Sequence, residues 1–162
     1  MNEIQAVKTA KIEEVKKNSK KGFTLVELVV VIAILAILAA IAIPVVSSTI
    51  QSSQRSGALS NAQTLELALK EAHAQIVAKD TSVYTTTLSG TKVSDVESKK
   101  AIKVDTTVTI GGDTYTLAWS KTDSKCYYVK GLGGTVVNLD TSVTPNADVA
   151  ALAGTATLDT LF

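Results

Sequence analysis

Cysteine and aromatic residues are scarce in this chain of 162 residues. The only cysteine is Cys126, so no disulfide can form within the chain. Any exported part must therefore be stabilised by packing and hydrogen bonds. Two phenylalanines, one tryptophan and four tyrosines are too few for an aromatic stacking platform or an aromatic-rich interface.

Net charge is also small, because 16 basic residues face 15 acidic ones. A basic stripe or patch is the usual mark of a protein that binds nucleic acid. The near balance of charge therefore predicts no nucleic-acid site. The charge is uneven along the chain, however, since residues 1–21 hold six lysines and only three glutamates.

Few residues have the chemistry of metal binding. The single histidine, His73, has no Cys, His or carboxylate partner at the spacing of metal ligands, and we expect it at a solvated helix position. Asp140, Asn146 and Asp148 do not follow the spacing of a calcium loop, and we expect a solvated loop there. The sequence thus predicts no metal and no cofactor.

The sequence also gives no sign of a catalytic nucleophile or of a phosphate-binding loop. Cys126 falls in a predicted strand with no histidine nearby in sequence, which predicts a small buried residue. Residues 131–134, Gly-Leu-Gly-Gly, are not followed by a predicted helix, so we interpret them as a turn. No Ser/His/Asp or Cys/His set is assembled, and the chain is not predicted to be an enzyme.

What the chain does contain is a long hydrophobic run. The nineteen residues Leu28–Val46 carry no charge. As a helix this run is about 28 Å long, close to the hydrocarbon thickness of about 30 Å in a bilayer. The lysines before it favour a cytoplasmic N-terminus, with the residues after the run exported. The pattern predicts a single-pass segment in the cytoplasmic membrane.

Two residues disturb the regularity of this segment. Glu27 is a carboxylate immediately before the uncharged run, and burying such a charge at membrane level is unfavourable even on the lenient insertion scales. Its side chain either pairs with a cation or extends to the membrane interface. Pro44 lacks a backbone donor and clashes with the preceding turn, which predicts a kink near the outer end of the helix.

The helix is predicted to continue beyond the membrane as an amphipathic segment, residues 47–78. Serines and a glycine between residues 47 and 57 lower helix propensity there without ending the helix. Glu66 and Lys70 are expected to form an i,i+4 pair on the wetter face. Apolar residues recur at steps of three and four and form the opposite stripe: Ala58, Ala62, Leu65, Leu69, Ala72 and Ile76.

Residues 79–162 change to a composition of Thr, Ser, Val and Gly that predicts an antiparallel sheet. We expect a loop-rich crossover over residues 81–100, with one short strand near Tyr84–Leu88, and an edge strand or short helix near Asp148–Leu152. The main strands are predicted at 104–110, 114–120, 125–130 and 135–139, with a two-residue hairpin turn at Gly111-Gly112 and turns at 121–124 and 131–134.

The predicted fold class is therefore α+β. A long N-terminal helix, one half transmembrane and the other amphipathic, packs its apolar stripe on a three- to four-stranded antiparallel sheet. The sheet is expected to provide the outer surface, in contact with solvent and targets.

The junction between the lysines and the hydrophobic run has a recognisable sequence. Residues 20–28 are Lys-Lys-Gly-Phe-Thr-Leu-Val-Glu-Leu. They resemble the class III signal sequence of type IV pilins and pseudopilins. The likeness extends over residues 20–50 and includes Pro44, at a place where pilin helices commonly carry a proline; beyond Ala78 it is architectural only. Many pilins also staple their C-terminal segment with a disulfide, which a single cysteine rules out here.

The resemblance implies a route of processing and assembly. A membrane peptidase would cut between Gly22 and Phe23 and methylate the new amine of Phe23. A glycine before the cut lets extended backbone enter a protease cleft without a side chain in the way. Glu27 of an incoming subunit would pair with the Phe23 amine of its neighbour, so that charge neutralisation selects assembly. The chain would then consist of a cleaved leader (1–22), a transmembrane and filament-core helix (23–46), its amphipathic continuation (47–78) and an extracellular head domain (79–162).

On this resemblance the chain is a structural pilin that polymerises into surface fibres for adhesion, twitching motility or DNA uptake. Its partners would be copies of itself, the prepilin peptidase, an assembly platform protein with its cytoplasmic ATPase and, before assembly, membrane lipid. A pseudopilin of a type II secretion or competence system is one alternative, because the signal is common to both. An uncleaved, membrane-anchored extracellular binding domain is an alternative of another class.

Overall fold

The computed structural model describes residues 22–80, 83–84 and 86–162. The leader expected at residues 1–22 lies outside the described residues except for Gly22. A long N-terminal helix packs against an antiparallel sheet, which confirms the predicted α+β class. In chain order the elements are helix α1 (Leu25–Val77), a 3-10 helix (Leu88–Gly90), helix α2 (Val93–Lys100), strands β1 (Thr107–Ile110), β2 (Asp113–Ser120), β3 (Lys125–Lys130), β4 (Val137–Asn138) and β5 (Ala150–Ala151), and helix α3 (Leu158–Leu161).

The chain divides into two compact units, Met1–Val46 and Ser47–Phe162. In the first unit the described residues from Leu25 onward are helical, as the hydrophobic run predicts. Among the described residues α1 is the one helix long and apolar enough to cross a membrane, judged by length and composition. Pro44 lies inside α1. The kink expected at this proline stays a prediction.

In the second unit, one face of α1 forms the centre of the hydrophobic core. Leu65 and Leu69 are fully buried, and they share a cluster with Leu117 and Tyr128 of the sheet. Ile76 is partly buried against the same cluster. The predicted apolar stripe is therefore confirmed, with Ala68 as a further buried member; the buried residues of α1 are Ala58, Ala62, Leu65, Ala68, Leu69 and Ala72.

Replacing Leu69 with alanine is expected to destabilise this unit by about 2–5 kcal/mol, because a fully buried leucine leaves a cavity when truncated. Leu67 lies two residues away on the same helix but is 67% exposed, so the matched Leu67→Ala change should cost less than about 1 kcal/mol. Urea unfolding in detergent, followed by the fluorescence of the buried Trp119, measures both. Equal losses for the two variants would contradict the packing described here.

The sheet is a meander with the order β1-β2-β3-β4, and every pair in it is antiparallel. The β1–β2 turn is Gly111-Gly112, with φ angles of +64° and +90°. Positive φ at both central residues is the geometry of a type I′ hairpin, which glycine adopts without strain. The predicted hairpin turn and the predicted third strand, Lys125–Lys130, are thus confirmed. The fourth strand is shorter than predicted, two residues in β4.

The C-terminal tail adds a fifth strand to this meander. β5 pairs with Ala118 and Trp119 of β2, on the edge opposite β3, where β1 has ended. The edge strand expected near Asp148–Leu152 is therefore confirmed. The tail then forms α3, which sequence reasoning did not predict. Two leucines of α3, Leu158 and Leu161, are buried, so the end of the tail also contributes to the core.

Side-chain contacts hold the end of the tail against the rest of the second unit. The Trp119 indole N–H donates to the carbonyl of Leu161 at 2.8 Å. The ring of Phe162 stacks on His73, with centroids 4.2 Å apart. His73 is thus partly covered, and the expectation of a solvated position was wrong because the tail returns across this part of α1.

The segment after α1 also differs from its prediction. In place of a short strand near Tyr84–Leu88, the described residues there are irregular or begin the 3-10 helix. Residues 93–100, expected to be loop, form α2. The reason is local: Val93 and Val96 are buried on one face, and the Asp95 carboxylate accepts the Lys92 N–H at 2.9 Å. This carboxylate cap satisfies a donor that the helix itself leaves unpaired.

The outer face of the sheet is partly covered. Ala118, Tyr127 and Val129 form a second small cluster on this face, under Leu132, Val136 and Val149 of the loops. The solvent-facing surface on this side of the sheet is therefore formed by loops as well as by strands. The assignment of the sheet as the outer surface of an assembly stays a prediction.

Candidate processing and assembly site

The first turn of α1 is closed by a reciprocal pair of hydrogen bonds. Thr24 precedes the helix, and its backbone N–H and its hydroxyl both donate to Glu27 Oε2 at 2.8 Å. In return, the Glu27 N–H donates to Thr24 Oγ1 at 3.2 Å. This is a capping box, in which a threonine and a glutamate three residues later satisfy each other's backbone donors. The Thr-x-x-Glu spacing was the available sequence signal, and sequence reasoning had missed it.

The capping box changes the account of Glu27. The sequence left two roles open for Glu27: its carboxylate pairs with the cation of a neighbouring subunit, or it extends to the membrane interface. The structure shows that the carboxylate also has hydrogen-bond donors within its own chain. Thr24 supplies neutral donors, which compensate part of the lost hydration but leave the negative charge in place. Neutralisation of this charge by a cation of another subunit stays a prediction.

Gly22 and Phe23 lie just before the helix, in non-helical backbone. No heavy atom lies within 4 Å of the position that a Cβ on Gly22 would take. The Phe23 side chain is 91% exposed. The peptide bond between the two residues is therefore sterically open in the folded chain. The assignment of cleavage to this bond, and of Glu27 to the Phe23 amine of another copy, stays a prediction.

The apolar surface that follows this turn is large. From Leu25 to Val46, every large apolar side chain of α1 is between 48% and 79% exposed. Soluble monomers rarely expose a contiguous apolar patch of more than a few hundred Å². This half of α1 therefore needs lipid or other protein around it.

Glu66 is the second carboxylate on α1 with a specific environment. Its Oε1 accepts the Lys70 ammonium at 2.7 Å, which confirms the predicted i,i+4 pair. The pair was expected on the wetter face, but the Glu66 side chain is only 14% exposed. The cause is the sheet edge: Glu66 Oε2 accepts the backbone N–H of Cys126 at 3.3 Å. Glu66 joins the helix to β3.

Cys126 is confirmed as a small buried residue, 8% exposed. Burial raises the pKa of its thiol far above the ordinary value, and the nearby Glu66 carboxylate adds to the shift. A thiol held protonated in this way is a poor nucleophile. Within residues 22–80, 83–84 and 86–162, no three His, Cys, Asp or Glu side chains form a group that could hold a metal ion.

The acidic residues of the tail bind loop backbone. Asp148 accepts the Thr122 N–H at 2.7 Å and the Ser120 hydroxyl at 2.8 Å, and these bonds lower the pKa of its carboxyl. Asn146 donates from its backbone and its side chain to Asp123, which lies in the β2–β3 turn. The solvated loop expected at these residues is confirmed, since Asn146 and Asp148 are exposed, and hydrogen bonds also attach this loop to the β2–β3 turn. Sequence spacing does not reveal such contacts, because they join residues more than twenty positions apart.

Comparison with known protein families finds a match at the N-terminal end of the chain. Residues 17–43 fit the prokaryotic N-terminal methylation motif, which is the class III signal of type IV pilins and pseudopilins. The chain therefore carries a prepilin-type signal at the turn where Gly22, Phe23 and Glu27 lie. Comparison with curated proteins and with solved structures gives no match.

Proposed function

We propose that the chain is the precursor of a structural pilin. Cleavage after Gly22 and methylation of Phe23 would release a subunit that polymerises through residues 23–46 of α1 into surface fibres. The observation that carries the proposal is the methylation motif at residues 17–43, continuous with the exposed apolar surface of α1. The second unit, with its own core of helix and sheet, would be displayed on the fibre.

The charge of Glu27 favours a subunit that assembles into a polymer over a membrane anchor that remains a single chain. Before assembly, the Glu27 carboxylate would be held by the neutral donors of Thr24. Cleavage creates a positively charged amine on Phe23, four residues before Glu27. In a bundle of apolar helices the ionised pair is tolerated, whereas either charge alone is strongly unfavourable. A neighbouring subunit displaced along the helix axis supplies the amine to each Glu27.

The proposal defines the partners and the location. The precursor would lie in the cytoplasmic membrane with its basic N-terminus inside, in contact with lipid and with the prepilin peptidase. An assembly platform protein and a cytoplasmic ATPase would supply the work of extraction from the bilayer. The product would be a homo-oligomeric helical fibre at the cell surface, serving adhesion, twitching motility or DNA uptake. These are proposals that the motif and the exposed helix support.

The N-terminus of the mature protein tests the proposal directly. We expect intact-mass and N-terminal analysis of protein from sheared surface fibres to give a chain that begins at N-methyl-Phe23. A chain that keeps residues 1–22 with an unmodified N-terminus would contradict the proposal and favour a membrane-anchored binding domain. Electron microscopy of cells with and without the gene provides the control. Loss of surface fibres favours a pilin, while loss of secretion or competence with fibres intact favours a pseudopilin.

A further inference from the structure

A groove of about 360 Å³ lies between α1 and the start of β3, wholly within the second unit. Leu59 and Leu67 of α1 form one wall, and Val143 lies on the other. Leu67 is 67% exposed and Val143 is 38% exposed, so each presents apolar surface that the fold of a single chain does not use. The groove therefore offers an apolar contact to something outside the chain.

Charges of opposite sign stand at the rim of this groove. Lys125 is exposed on one side. On the other side the Asp140 carboxylate is held by the backbone N–H of Ser142 at 3.0 Å and by its hydroxyl at 2.5 Å. These bonds from Ser142, with a smaller contribution from the nearby charge of Arg55, lower the pKa of the Asp140 carboxyl. A partner that fits must be apolar in the middle, with a cation near Asp140 and negative potential near Lys125.

The C-terminal end of α1 has these properties. Val77, its last residue, is 59% exposed. The last turn of α1 contains no basic residue, so the negative end of the helix dipole is not compensated from within that turn. Lys79 follows, with φ of +56°, and its N–H closes the helix on the carbonyl of Ile76 at 3.0 Å. The exposed apolar side chain of Val77, the negative end of the helix and the cation of Lys79 thus lie within three residues of the chain.

We propose that the groove receives the C-terminal end of α1 from a second copy of this chain. Val77 of that copy would contact Leu67 and Val143, its helix end would face Lys125, and its Lys79 would face Asp140. The inference rests on the proposed function, because the polymer supplies the second copy. Leu67 and Val77 are ten residues apart on one helix, so parallel copies meet in this way when displaced by about 15 Å along the axis.

The alternatives within a second copy fit less well. The other large apolar side chains exposed in the second unit are Ile50 and Val137. Ile50 lies among uncharged residues, with no lysine or arginine until Arg55. Val137 pairs with Lys130, whose ammonium is already bound to Asp113 at 2.7 Å. The contact between groove and helix end also joins two different patches, so it propagates along a fibre and does not close into a dimer.

A pair of engineered cysteines tests the contact in fibres of the full-length protein. Fibres carrying both Leu67→Cys and Val77→Cys, oxidised with copper phenanthroline, should give a ladder of dimers, trimers and longer multimers on a non-reducing gel. All variants also carry Cys126→Ala, because Cys126 lines the same groove. Each single variant should then stay monomeric, since one engineered cysteine per chain cannot join the two patches. The matched control pair, Leu67→Cys with Val137→Cys, should not form a ladder. Fibres of the first pair that stay monomeric, or a ladder as strong from the control pair, would overturn the inference.

Charge reversal provides a second, independent measurement. Asp140→Lys and Lys79→Glu should each lower the yield of the ladder about ten-fold, and the two together should restore most of it. No rescue in the double variant would overturn the charge pairing. The two proposals fail in different ways: wild-type cells without fibres contradict the pilin assignment, whereas abundant fibres without cross-linking contradict only the groove contact.

Discussion

Replacing Glu27 with glutamine is expected to abolish fibres while membrane insertion and cleavage continue. Glutamine is nearly isosteric and keeps the capping box, because its amide oxygen still accepts from Thr24. Only the charge is removed. If the Phe23 amine of a neighbour is left without its carboxylate inside a bundle of apolar helices, assembly should fall by about a hundred-fold or more. Counting fibres by electron microscopy, with immunoblots for processed subunit, measures both quantities.

A matched variant separates the charge from the cap. Thr24→Val removes the hydroxyl that bonds to Glu27 but keeps the backbone N–H and the carboxylate. Losing one capping hydroxyl typically costs about 1 kcal/mol of helix stability. We therefore expect fibres of reduced number but clearly present. If Glu27→Gln assembled normally while Thr24→Val did not, the charge would be irrelevant and the capping box would be the essential feature of this turn.

Replacing Gly22 with valine is expected to block processing almost completely. A β-branched residue restricts the backbone and places bulk where the peptidase must close on an extended chain. The substitution does not disturb the fold, since a Cβ at this position meets no heavy atom within 4 Å. Immunoblots should show precursor that keeps residues 1–22, and cells should lack fibres.

Gly57→Ala is the control for this experiment. Gly57 is a second glycine whose Cβ position is open, but it lies in the interior of α1. Alanine there should raise helix stability by about 0.5–1 kcal/mol and leave processing unchanged. Normal cleavage of Gly22→Val would show that the bond after Gly22 is not the processed one. Loss of cleavage in Gly57→Ala would show that the assay reports folding instead of recognition.

Short-range patterns were sufficient for much of the fold. The 3.6-residue period identified the buried face of α1, because residues four apart, such as Leu65 and Leu69, lie on the same side of any α-helix. The hairpin at Gly111-Gly112 followed from two residues that tolerate positive φ. Helix α2 was missed, although the valine spacing and the carboxylate of Asp95 are local signals. Its eight residues are simply too few for the period to stand out from loop composition.

Contacts between residues that are far apart in the chain could not be predicted from the sequence. No pattern indicates that Glu66 bonds to the backbone of Cys126, sixty positions away. The same is true of Phe162, which covers His73. Such contacts depend on where the sheet edge and the tail come to lie, and that placement follows from the packing of the whole core. The groove beside Leu67 has the same origin, since its two walls come from separate parts of the chain.

The sequence by itself determined the processing signal and the apolar helix, because these depend on residues within a few turns of one another. Tertiary structure alone decided that the tail packs against α1 and that loops cover part of the outer sheet face. It also decided which apolar side chains of the second unit remain exposed for a partner. The physical reason is that periodicity and charge act locally, whereas burial is a property of surfaces brought together from distant segments.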